Sequence, residues 1–373
     1  MLTKPSVASR RLGIVTTVGL VVLALSCHSA SRASADPQPS AQPAPKAVAA
    51  AKPSSGAAAA APSEQLKQHT AEGRVVAVGD LHGDLDAARR AFRVAKVLDN
   101  NEQWVGGNTV VVQTGDVLDR GQDERPLLEW LEKMAVLAQQ GGGALYRING
   151  NHEIMNVAGD LRYVSESGFT SFAEYAQGPV PGPLGDAPAA QRGRLMAFLP
   201  GGPWARRLAQ YPVVLQVNDS VFAHGGVVPK HLEYGLERMN TEVSSWMRGT
   251  KPLPRALVSD DTPFWDRTYG ETATDADCER LQGVLAKLGA KRLVVGHTPQ
   301  RDGVTFACDG RVARIDVGLS RYYGGHSTAV LEIQGSSVRV LTEKDLATST
   351  SKPQRPNADR GRAKGAPQLQ ANP

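Results

Sequence analysis

Apolar residues in this chain gather into short unbroken runs, each closed by glycine and an acidic or amide residue, and these runs alternate with stretches of helical periodicity. Val75-Val76-Ala77-Val78 stops at Gly79-Asp80, and its continuous apolarity predicts a strand buried on both faces. From Asp84 to Leu98, Leu85, Ala88, Phe92 and Ala95 recur on one face of a predicted helix. The arrangement then repeats. Thr109 to Gln113 reads as a buried strand ending at Gly115-Asp116. Leu127, Leu128, Leu131, Met134, Ala135 and Ala138 mark a helix from about Glu124 to Gln139, with Pro126 in its first turn. A third strand, Ala144 to Ile148, ends at Gly150-Asn151-His152. Strand, polar loop, helix and strand form the βαβ signature, and ligands of such sheets bind beyond the carboxyl ends of the strands.

Between residues 156 and 211 the periodicity weakens and Gly and Pro cluster from Gln177 to Pro188. This segment reads as an insertion of helices and loops beside the site, where specificity is usually set. Strands resume at Val213 to Val217, Ser220 to Ala223 and Arg292 to Val295. Val304 to Ala307, Arg311 to Asp316, Thr328 to Ile333 and Ser337 to Leu341 follow as short alternating runs, as in an antiparallel second sheet. The expected architecture is α/β, a mixed β-sandwich flanked by helices.

The ends of the chain have a different composition. Lys4, Arg10 and Arg11 precede an apolar run from Leu12 to Leu25 that is short for a bilayer span and is placed like a secretory signal. Residues 1–27 are therefore expected to be a signal peptide or a lipoprotein signal or anchor. Leu23-Ala24-Leu25-Ser26-Cys27 resembles a bacterial lipoprotein cleavage site, with Ala24 where that pattern prefers Leu. Lipid attachment at Cys27, plain signal cleavage and an uncleaved anchor all fit. An exported protein, periplasmic or tethered to a bacterial inner or outer membrane, is the common expectation. Residues 28–70 are expected to be a disordered Ala/Pro/Ser linker, residues 71–345 the folded domain and residues 346–373 a disordered basic tail.

The 373-residue chain carries a formal charge of +5. Residues 1–63 contribute +5 and residues 351–373 contribute +4, which leaves about −4 for the region between. The basic character belongs to the ends, so the folded part has no nucleic-acid footprint. Cys278 and Cys308 form an even pair once Cys27 is set aside, and either a disulfide or two buried thiols fits them. No Cys-x-x-Cys spacing suggests zinc or redox chemistry.

The candidate chemistry lies in the polar loops. Gly79-Asp80-Leu81-His82-Gly83, Gly115-Asp116-Val117-Leu118-Asp119-Arg120-Gly121, Gly150-Asn151-His152-Glu153, His224-Gly225-Gly226 and Gly296-His297-Thr298 follow in order. A single motif of this kind is weak, because an Asp after a strand is commonly a cap or turn residue. Together they hold four of the eight histidines. His28, His69 and His231 read as surface or structural, and His326 as an outer candidate. Asp80, His82 and Asp116 suit one divalent transition metal, Mn, Fe or Zn. Asn151, His224 and His297 suit a second, with Asp116 bridging. His152 is placed to protonate a leaving alcohol, Asp119 to orient it, and Arg120 to offer a charged fork to phosphate. Arg267, in Phe264-Trp265-Asp266-Arg267, is a weaker phosphate candidate.

These motifs resemble the calcineurin-like metallophosphoesterases. Asp-Arg-Gly in the second and Asn-His-Glu in the third are similar to the phosphoprotein phosphatase type. The runs Gly150 to Val157 and Ile315-Asp316-Val317-Gly318-Leu319-Ser320 resemble more narrowly its Shewanella-like bacterial branch. The resemblance covers about residues 73–343 and implies a four-layer α/β/β/α sandwich. It also implies metal ligands at Asp80, His82, Asp116, Asn151, His224 and His297, a proton donor at His152 with Asp119 as its partner, and phosphate binding by Arg120. The expected reaction is hydrolysis of phosphoserine or phosphothreonine in proteins, or of phosphotyrosine, by direct attack of a metal-bridging hydroxide. A broad phosphomonoesterase, a nucleotide hydrolase including a dinucleoside tetraphosphatase, and a non-catalytic metal-binding surface protein are the rivals.

Overall fold

The computed structural model describes residues 66–347 apart from 326. The expected signal segment, most of the linker, all but the first two residues of the tail, Cys27 and His326 lie outside the described residues. The folded region extends slightly beyond the expected 71–345. Leu66 is buried, Gln68–His69 (β1) pairs with a strand of the second sheet, and Lys344–Ala347 forms a short terminal helix, α10.

Two sheets stack face to face. In the first, Val75–Val78 (β2), Val110–Gln113 (β3) and Ala144–Arg147 (β4) run parallel, as the βαβ pattern predicts. The second contains β1, Val214–Val217 (β5), Ser220–Ala223 (β6), Arg292–Val295 (β7), Thr305–Ala307 (β8) and Val312–Arg314 (β9), in the order β1-β5-β6-β7-β9-β8. The sequence reading of an antiparallel second sheet is corrected here: β6, β7 and β9 run parallel to one another. The last two strands, Ala329–Gln334 (β10) and Ser337–Thr342 (β11), join the first sheet, where β10 lies antiparallel to β2. Apolar patterning records that a strand is buried on both faces, not which neighbour completes its hydrogen bonds.

Alternation along the strands separates two cores. Val75, Ala77, Val110, Val112 and Leu331 of one sheet meet Leu215, Phe222, Val294 and Ala313 of the other in an apolar interior between the sheets. The alternate residues Val76, Val78, Val111, Val221, Leu293 and Val295 face outward into the helical layers. Leu85–Val94 (α1) and Glu124–Gln140 (α2) lie over the first sheet, α1 starting at Asp84, whose side chain accepts from Ala87 N–H. Pro229–Tyr234 (α7), Leu236–Met247 (α8) and Asp275–Leu288 (α9) lie over the second. The result is the expected four-layer α/β/β/α sandwich. Within the described residues, no helix is long and apolar enough to cross a membrane. A disulfide joins Cys278 of α9 to Cys308, between β8 and β9.

Asn151–Ala158 (α3) leads from β4 into the weakly patterned segment. There Glu166–Thr170 (α4), Ala189–Phe198 (α5) and Pro203–Leu208 (α6) pack on an aromatic cluster of Phe172, Phe198 and Trp204. Through these rings the segment joins the apolar core beneath the outer helices rather than forming a core of its own.

Candidate active site

The carboxyl ends of β2, β3, β4, β6, β7 and β9 lead directly into Asp80, Asp116, Asn151, His224, His297 and Asp316. These loops touch. A Cβ on Gly150 would lie 2.2 Å from Asp116 Oδ1, and one on Gly296 would lie 2.4 Å from Asp80 Oδ1, so bare backbone is what lets the carboxylates in. His82, Asp116, Asp119, Arg120 and His297 all hold positive φ, between 40° and 70°. Such strain, at non-glycine positions, is stored where surrounding structure fixes the backbone.

Asp116 stands at the centre. Its Oδ2 lies 3.1 Å from His224 Nε2, 3.7 Å from His82 Nε2 and 3.8 Å from His152 Nε2. Its Oδ1 accepts from the His152 backbone N–H at 3.0 Å. Two sets of potential ligand atoms share it, His82 with His152 and His224 with His297, each set lying within 4.8 Å of itself. Asn151 Oδ1 joins the second, 2.9 Å from His224 Nε2. Asp80 places Oδ2 on the His297 N–H at 3.1 Å, and its Oδ1 lies 3.9 Å from His224. The sequence-predicted donors therefore converge. His152 stands nearer to the His82 set than expected for a residue outside the ligand sphere.

These side chains fit divalent cations. His82 Nδ1 donates to the Leu118 carbonyl at 3.1 Å and His224 Nδ1 to the Thr114 carbonyl at 2.8 Å, which turns each Nε2 toward Asp116. Asp80 Oδ1, Asp316 Oδ2 and His297 Nε2 are buried without a hydrogen-bond partner. Burial, then the charges of Asp316 and Asp116, pushes Asp80 well above the carboxylate range, and burial raises Asp316 to about 6. Burial drives His82 down to about 3, and burial and then His224 hold His297 well below the imidazole range. Crowded carboxylates beside neutral imidazoles are a donor set that cations of mixed N and O preference would relieve.

His152 is different. Its Nδ1 donates to Asp119 Oδ2 at 2.6 Å. Burial opposes its protonation, but the Asp116 charge and the Asp119 hydrogen bond together raise it. Arg120 makes no carboxylate ion pair among the described residues. Its guanidinium instead faces the rings of Tyr163, Tyr322 and Tyr323 at 4.8, 5.0 and 5.4 Å. Arg267 is drawn to the same end of the sandwich, behind the His297 loop, where Nη1 donates to Thr298 Oγ1 at 3.1 Å. Of the histidines set aside, His231 is structural: Nδ1 accepts from Val228 N–H and Nε2 contacts the Asp261 carbonyl.

Sequence reasoning assigned no role to several residues the structure brings in. Glu153 is buried and accepts from the backbone N–H groups of Asp116, Val117, Leu118 and Gly150 at 2.8 to 3.1 Å, tying the second motif to the third. Its signal was available: it occupies the third position of α3, where an acidic side chain reaches back to the cap. Asp316 follows a strand just as Asp80 and Asp116 do. Tyr323, whose hydroxyl lies 3.4 Å from His82 Nε2, carries no such mark.

A family model for calcineurin-like phosphoesterases matches residues 73–301. The chain belongs to this family of metal-dependent phosphoester hydrolases, and within it to the Shewanella-like protein phosphatases. It is 40% identical over 306 residues to Shewanella-like protein phosphatase 2 of Arabidopsis thaliana, covering 73% of this chain and 78% of the relative. Shewanella-like protein phosphatase 1 of Plasmodium berghei is 28% identical over 291 residues, covering 73% and 75%. The crystal structure of a cold-active protein-tyrosine phosphatase from a psychrophilic Shewanella shares the fold, with a TM-score of 0.59 at 23% identity over 74% of this chain and 83% of that one.

Proposed function

We propose that this chain is an exported two-metal phosphoprotein phosphatase acting on phosphoserine and phosphothreonine. One observation carries the reading: the buried Asp119–His152 pair points its free Nε2 toward Asp116, at the centre of two ligand sets. Asp80, His82 and Asp116 would hold one cation, and Asp116, Asn151, His224 and His297 the other. Bound there, divalent Mn, Fe or Zn supplies Lewis-acid charge and lowers the pKa of water toward ~7, so that an attacking oxygen is available at neutral pH.

The chain's own residues do the rest. Arg120, which has no carboxylate partner among the described residues, binds the phosphoryl oxygens and orients the ester. Glu153 holds the Asp116 loop in its strained conformation. Asp119 accepts from Nδ1–H and, with Asp116, favours the protonated imidazolium, so that His152 carries a second proton on Nε2, delivers that proton to the leaving oxygen and is left neutral with Nδ1–H still on Asp119. A dedicated donor of this kind matters most for alkoxide leaving groups, which favours serine and threonine esters. The name of the Arabidopsis relative supports a protein substrate.

Phosphotyrosine is the second reading, and the tyrosines around Arg120 favour it, because a phenyl leaving group would stack among them. The Leu12 to Leu25 apolar run and the Cys278–Cys308 disulfide support export to an oxidising compartment. The purified protein, loaded in turn with Mn, Fe and Zn, is to be assayed on phosphoserine, phosphothreonine and phosphotyrosine peptides and on nucleotides. The expected result is metal-dependent turnover of the serine and threonine peptides. Faster release from nucleotides than from every peptide would overturn the protein-phosphatase reading.

A further inference from the structure

Arg194, on α5 of the segment after the third motif, is a fully buried cation with no place in the chemistry above. Two of its contacts converge on Asp119, one directly and one through Asn156. Nη2 lies 3.3 Å from Asp119 Oδ1 and 2.6 Å from Glu124 Oε2, Nε donates to Asn156 Oδ1 at 2.9 Å, and Nη1 donates to the Gly168 carbonyl at 3.1 Å. The guanidinium lies against the edge-to-face pair of Phe172 and Phe198, 5.0 and 4.5 Å from their centroids. Asn156, oriented by that bond, donates through Nδ2 to Asp119 Oδ1 at 2.9 Å and to the His152 carbonyl at 2.9 Å.

The Asp119 carboxylate is thereby divided. Among the described residues Oδ2 serves His152, and Oδ1 is clamped by Arg194 and by the asparagine that Arg194 orients. A carboxylate held at one oxygen by two donors has its plane fixed, and with it the direction in which it holds an imidazole. Without the clamp Asp119 would rotate to share its oxygens, and the His152 ring would lose its aim at the leaving oxygen. An ion pair that only fastened α5 to the domain would need Glu124 alone.

We infer that Arg194 is a positioning residue for the proton donor, so that the segment framing the substrate also sets the alignment of His152. This rests on the proton-donor role proposed for His152. The test compares an alkyl ester, phosphoserine peptide, with an aryl ester, 4-nitrophenyl phosphate, because only the first depends strongly on protonation of the leaving group. In Arg194→Met, kcat on the alkyl ester is expected to fall about 100-fold and on the aryl ester far less, with KM little changed and metal content by elemental analysis retained. Arg194→Lys should recover part of the loss. The downfield proton resonance of His152 Nδ1–H in the metal-free protein should shift or broaden in Arg194→Met.

Removing one buried charge can prevent folding, so the double variant Arg194→Met with Glu124→Gln, which removes the companion charge, is measured in parallel. Equal losses on both esters in the folded variants overturn the proposal. His152→Asn serves as the reference. If it too shows no preference between the esters, the proton-donor role itself fails and the inference falls with it. If it shows the preference and the Arg194 variants do not, only the inference fails.

Discussion

The interior between the sheets and the site at its rim are equally buried, lie on the same strands and have opposite chemistry. Phe222 and His224 are two residues apart on the run of β6, and both are 0% exposed. Val112 precedes Asp116, Val294 precedes His297, and Ile315 is followed at once by Asp316. In the interior, burial of apolar surface is itself the stabilising contribution, about 25 cal/mol per Å². At the rim, burial works against folding. It desolvates the carboxylates of Asp80, Asp116, Asp119, Glu153 and Asp316, leaves polar atoms without partners and holds five residues in the left-handed region. The apolar sandwich is what makes such a site tolerable, and each strand passes from one regime to the other within a few residues of its carboxyl end.

The sharpest test of that division is Asp116→Asn. Turnover should fall by roughly a thousandfold or more, with loss of bound metal, because both ligand sets share this carboxylate. The melting temperature of the metal-free protein should fall only slightly: burial opposes the charge, but His224, His152 and His82 hold this carboxyl well below the ordinary range, so its loss removes a favourable contact. A large drop in that melting temperature would show that the rim supports the fold. The converse is Phe222→Ala, expected to lower stability by about 3–5 kcal/mol in denaturant titrations while kcat per folded molecule stays the same.

Asp316→Asn probes the rim alone. The folded-state carboxyl of Asp316 titrates at about 6 against an ordinary 3.8. Above pH 6 it is ionised in both states and is held at a disadvantage in the folded one. The metal-free variant should therefore be more stable than the parent at pH 7.5, by an amount on the order of 3 kcal/mol. The advantage should shrink as pH falls from 6 toward 4, where the parent carboxyl folds protonated and neutral. An advantage that persisted at pH 4 would mean that carboxylate crowding is not its source. The smallest effect is expected for Arg267→Ala, whose guanidinium supports the His297 loop from behind. It should change kcat/KM by about 1 kcal/mol, roughly fivefold, on alkyl and aryl esters alike.

Legibility in the sequence followed the same boundary. The first three parallel strands and their helices were readable because each run of Val and Ala is closed by its own Gly-Asp or Gly-Asn, and periodicity changes cleanly across the loop. The site donors were readable for the same reason, each standing beside the glycine that makes room for it. The destination of β10 was not, because a strand buried on both faces has the same composition in either sheet. Arg194 was not, because an arginine in a short helix of weak amphipathicity reads as solvent-exposed. Only its enclosure by Phe172, Phe198, Asp119 and Glu124 shows otherwise.

By itself, the sequence determined the alternation of strand and helix, the order of the polar loops and the kinds of donor they carry, because these depend on residues near one another in the chain. The tertiary structure decided that Asp116 would lie among His82, His152 and His224, that Glu153 would fasten two loops, and that an arginine 75 residues from Asp119 would clamp it. Those distances arise from sheet pairing and sheet stacking, which close contacts between segments whose local patterns do not specify their partners.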